Sequence, residues 1–75
     1  MNVFQYNTMR LTNAPPYEQA GLRDTWDTLY EAFGGVTFHP IEGQGVLKAK
    51  FKDISRQELG VNINKLVAGG FATAP

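Results

Sequence analysis

The sequence predicts an α+β fold: a two-layer sandwich in the order βαββα, with a three-stranded, mainly antiparallel sheet carrying both helices on one face. Three observations point there. Residues 36–52, VTFHPIEGQGVLKAKFK, alternate apolar and polar side chains about a glycine-flanked centre, the pattern of a β-hairpin. Leu22, Trp26, Leu29, Tyr30 and Phe33 recur at the spacing of one helical face. Ser55 with Glu58 three residues later opens a second helical stripe with a capping-box signature.

Taken in order, Val3 to Leu11 holds Val, Phe, Tyr, Thr, Met and Leu without glycine or proline and reads as a strand, with Phe4 and Tyr6 inward and a bulge able to reset the facing before Met9 and Leu11. The prolines of TNAPP (12–16) stop that strand, and Pro16 suits a first helical turn because its missing N–H is not needed there. The helix that follows ends at Gly34-Gly35. Asp24, Asp27 and Glu31 lie opposite its apolar stripe and make its outer face acidic.

In the hairpin, a type II′ turn is expected at Gly43-Gln44. That register puts Val36, Phe38, Pro40, Leu47, Ala49 and Phe51 on a core face, and Thr37, His39, Ile41, Val46, Lys48, Lys50 and Lys52 on an outer, basic face. The second helix buries Leu59, Ile63, Leu66 and Val67 and stops at Gly69-Gly70, and FATAP (71–75) is either a frayed tail or a short final strand in which Phe71 packs on the core. Residues 1–75 read as a single small domain without repeat or linker. The strand order 2-3-1 resembles, in topology only, a ferredoxin-like fold truncated by its last strand. It leaves the first strand at an edge open to strand addition, including homodimer formation.

Composition narrows the function. Zero cysteines and one histidine, His39, remove disulfide frameworks and multi-histidine or thiolate metal sites, so no cofactor or metal is expected. Seven basic and seven acidic residues cancel, which argues against binding nucleic acid by bulk charge. No apolar run has the length of a membrane span and no signal-peptide pattern opens the chain, so the expectation is a cytoplasmic protein that does not enter membranes. His39 has no nucleophile or carboxylate in a recognisable arrangement beside it, and no enzyme is expected. Gly43 and Gly45 are not expected to form a phosphate loop, because such a loop leads into a helix and this stretch reads as leading into a strand.

The most suggestive constellation is Lys48, Lys50 and Lys52 with Arg56, joined by Tyr6 and Arg10 on the edge strand. Alternation by itself places polar residues on the open face of a sheet, so lysines there also serve simply as a solvated surface. The expected function is a small non-enzymatic interaction protein that docks on a larger protein assembly as inhibitor, adaptor or structural subunit, by analogy with viral accessory proteins. The alternative is a single-stranded nucleic-acid-binding module using the basic sheet face.

Overall fold

The computed structural model describes residues 8–74. It contains β1 (Arg10–Leu11), α1 (Ala20–Phe33), α2 (Pro40–Lys50), α3 (Arg56–Ala68) and β2 (Ala72–Thr73). Each helix packs on the other two. The strands form a two-stranded antiparallel sheet, Arg10 opposite Thr73 and Leu11 opposite Ala72. The expected βαββα sandwich is therefore overturned: three helices and two short strands stand where a three-stranded sheet and two helices were predicted, because the presumed hairpin is a helix.

The residues of α2 explain this. Pro40 occupies the first turn, where its fixed φ is already helical. His39 caps that turn: its Nδ1 accepts the Ile41 N–H at 3.0 Å, and its own N–H donates to Glu42 Oε1 at 2.9 Å. Two otherwise orphaned amides are thereby satisfied. Pro40, Gly43 and Leu47 are the buried residues of α2, and their spacing of three and four defines a helical face as well as it fits an alternating arm. Gly43 lacks the positive φ that a type II′ turn needs at its first central position. Of the residues expected inward, Phe38, Pro40 and Leu47 are buried and Phe51 half-buried, whereas Val36 and Ala49 are exposed.

The flanking helices follow their sequence signals more closely. α1 starts at Ala20 rather than at Pro16, with Gln19 before it offering no side-chain cap. It ends at Gly34, whose φ of 59° is in the left-handed region and whose N–H donates to Tyr30 O at 2.7 Å. α3 is capped by Ser55, whose Oγ accepts the Glu58 N–H at 3.1 Å. Leu59, Gly60, Ile63 and Leu66 form its buried face. Gly70, at φ 82°, turns the chain into β2.

The residues that flank β1 carry further backbone bonds. Met9 N–H donates to Phe38 O at 2.8 Å and Phe38 N–H to Met9 O at 2.9 Å, while Thr12 N–H reaches Phe71 O at 2.9 Å on the β2 side. The two-stranded β1–β2 sheet overturns the 2-3-1 order, and residues 3–7 of the expected first strand lie outside the described residues. The tail takes its strand alternative, with Ala72 buried and Phe71 half-buried. The expected facing of Phe4 and Tyr6 lies outside the described residues.

One core joins these elements: Met9, Leu11, Trp26, Leu29, Phe38, Leu47, Leu59, Ile63, Leu66 and Ala72. Trp26 ties it to the C-terminal strand, its Nε1–H donating to Phe71 O at 3.0 Å. Among the described residues no helix is long and apolar enough to cross a membrane.

Candidate functional site

Turning residues 40–50 into a helix breaks up the expected basic strip. Residues two apart on a strand share a face, but on a helix they are about 200° apart. Lys48 and Lys50 therefore leave α2 in different directions. The Lys48 ammonium bends over the end of its own helix and donates to Lys52 O at 3.0 Å and Ile54 O at 2.7 Å. It secures the turn that joins α2 to α3. Lys50 instead faces α1, where it lines a groove of about 280 Å³ with Asp24, Asp27, Thr28, Glu31 and Phe51.

Lys52 and Arg56 are both exposed at this corner, Lys52 in the turn and Arg56 as the first residue of α3, with the exposed Asp53 between them in the chain. Arg56 borders a shallow groove of about 450 Å³ with Ile41, Gln44, Gly45, Lys48 and Leu59. Arg10 is exposed but belongs to β1, opposite Thr73. Tyr6 lies outside the described residues. The basic sheet face is thus corrected to a basic helical corner.

Charge is divided along the chain. Up to Leu47, two basic residues, Arg10 and Arg23, stand against five acidic ones, Glu18, Asp24, Asp27, Glu31 and Glu42, a net of −3. From Lys48 onward, Lys48, Lys50, Lys52, Arg56 and Lys65 stand against Asp53 and Glu58, a net of +3. The zero total conceals this division. Glu58 sits close to the basic corner, but its carboxylate is engaged by the Ser55 hydroxyl, which donates to Oε1 at 3.3 Å.

A second surface lies on α1. The Arg23 guanidinium stands 4.2 Å from the ring centroid of Tyr17 and 5.8 Å from that of Trp26. It also donates to Asp27 Oδ1 at 2.9 Å and to Pro15 O at 3.0 Å. Trp26 stacks on Tyr30, centroids 4.8 Å apart and planes within 8°. The outer members of this ladder are open to solvent, Tyr17 at 75% and Tyr30 at 50% exposure. The sequence placed Tyr30 on the apolar stripe of its helix, and the structure leaves it half exposed. The sequence reading missed Arg23, although the spacing of residues 23, 26, 27 and 30 carried the signal.

His39 is taken up by capping α2. Among the described residues, no group of three or more His, Cys, Asp or Glu side chains gathers where it could hold a metal ion. Compared with known proteins, the chain matches no family model, no curated protein and no solved structure.

Proposed function

We propose that this chain is a non-enzymatic docking domain that meets an anionic surface of a larger partner through the corner between α2 and α3. The observation that supports the reading is the charge division. Five of the seven basic residues follow Leu47, and Lys52 and Arg56 are both exposed at the corner. The acidic residues of α1 lie on a different helix. Such polarity orients an encounter and fixes its register more than it adds affinity. The reading predicts that the protein is retained on an immobilised polyanion at low salt and released by moderate salt, and that a Lys52→Glu/Arg56→Glu variant with unchanged circular dichroism elutes earlier. Flow-through of the wild type at low salt defeats it.

A different observation favours a protein contact on α1. Tyr17, Arg23 and Tyr30 form an ordered, partly exposed ladder of residue types that dominate binding energy at protein interfaces. A Tyr17→Ala/Tyr30→Ala variant that keeps every partner captured by the wild type removes this second face.

A further inference from the structure

Resting on that docking reading, we infer that the anionic partner is double-stranded DNA, with α3 as the element that enters the major groove. α2 and α3 are joined by a short turn, residues 51–55, and both pack on α1, the same element order as in helix-turn-helix domains, which present their second helix to a groove. The outward side chains of α3 carry the inference further. Gln57, Val61, Lys65 and Ala68 are exposed at spacings of four, four and three, so they form one stripe opposite the buried Leu59, Ile63 and Leu66.

Each residue type on that stripe has a partner in the major groove: a glutamine amide pairs with adenine N6 and N7, a lysine ammonium with guanine O6 and N7, and apolar methyls with the thymine methyl. The acidic residue of α3, Glu58, borders the stripe beside Val61 and Lys65, with its carboxylate accepting from the Ser55 hydroxyl at 3.3 Å. A helix with its side chains, roughly 10–12 Å across, fits a major groove about 12 Å wide. From Gln57 to Ala68 the stripe runs roughly 16 Å, or about five base pairs. Lys52 and Arg56 sit at its N-terminal end, where the forked guanidinium of Arg56 suits a phosphate.

The same stripe disfavours other anions. It holds no aromatic ring on which unpaired bases could stack. Duplex RNA has a major groove too deep and narrow for side chains to read. Lys48 is held by the turn carbonyls and Lys50 lines the groove against α1, so Lys52 and Arg56, which flank the exposed Asp53, are the cations assigned to phosphates.

The test is fluorescence anisotropy of the full chain with a labelled random-sequence DNA duplex of about two helical turns. Unlabelled single-stranded DNA, duplex RNA and polyglutamate serve as competitors. Duplex DNA is expected to compete at least tenfold better than the others. The logarithm of affinity should fall against the logarithm of salt with a slope of about −1.8, two phosphate contacts at roughly 0.9 each. Lys52→Glu/Arg56→Glu should weaken binding tenfold or more and flatten that slope. Gln57→Ala should keep the slope and change the sequence recovered from a randomised duplex library.

If polyglutamate or single-stranded DNA competes as well as duplex DNA, the DNA inference falls while the docking reading stands. If the polyanion column also fails to retain the protein, both fall. A Gln57→Ala variant that recovers the same sequence motif as the wild type removes α3 from the groove.

Discussion

Gly43 and Gly45 lie two residues apart in α2, and alanine at each should change stability in opposite directions. Both sites have φ outside the left-handed region, so each substitution gains the same term, about 0.4–1 kcal/mol from restricting the unfolded chain. The difference is steric. A Cβ on Gly45 meets nothing within 4 Å, whereas one on Gly43 would lie 3.0 Å from Phe38 Cε2, 3.4 Å from Leu29 Cδ2 and 3.6 Å from Ile63 Cδ1.

Phe38 has little room to yield. Its ring stacks on Phe33 at a centroid distance of 4.1 Å, and its backbone is bridged to Met9. Overpacking of a filled core costs about 1–3 kcal/mol. Gly43→Ala should therefore be about 1–3 kcal/mol less stable than Gly45→Ala. At roughly 4–8 °C per kcal/mol for a domain of this size, the two Tm values should differ by at least about 4 °C, with Gly45→Ala above wild type. Thermal unfolding by circular dichroism reads both. Equal gains would refute the packing of Gly43 at the meeting point of the three helices, and a loss at Gly45 would refute the open helical site.

Two further substitutions test how the ends are held. Trp26→Phe removes the indole donor to Phe71 O but leaves that carbonyl its bond from Thr12 N–H, so the hydrogen-bond loss should be about 1 kcal/mol, before the smaller ring is counted. Hydrogen exchange should show the Thr12 amide less protected, and unchanged protection would separate Trp26 from the sheet. Lys48→Met withdraws an ammonium from two exposed carbonyls that water can re-solvate, so the loss should stay at about 1 kcal/mol or below. Its signature is faster exchange of the Ile54 amide, which donates across the turn to Phe51 O at 3.0 Å. Elution from a polyanion with an unchanged salt dependence would mark Lys48 as a strut of the turn, and a flatter dependence would return it to the ligand surface.

The helix ends were legible because their signals are local. Ser55 with Glu58, and the glycines at 34 and 69–70, each specify a backbone state within a few residues. The buried apolar positions of α1 and α3 were readable for the same reason, since a spacing of three and four admits few alternatives over several turns. Residues 36–52 satisfy two periods at once. Phe38, Pro40 and Leu47 are inward on either reading, and the glycines at 43 and 45 suit a turn as readily as a closely packed helix. The deciding local signal was present: His39, Pro40 and Glu42 supply a cap, a first-turn proline and a carboxylate that reaches back. Histidine is not among the favoured capping residues, and the lysine alternation was the louder pattern. What the local signal could not convey is tertiary: Gly43 has no side chain because Phe38, Leu29 and Ile63 occupy the space around it.

That misreading of period carries through to function, since the same lysines mean different things on a strand and on a helix. On a strand, Lys48, Lys50 and Lys52 would add their charges on one face. On the end of a helix, one lysine holds the following turn, one lines the groove against α1, and one is left exposed in the turn. Fewer free cations make a weaker electrostatic grip, which shifts discrimination onto the outward stripe of α3. Affinity at this corner should therefore follow Lys52 and Arg56, while discrimination between sequences should follow Gln57, Val61 and Lys65.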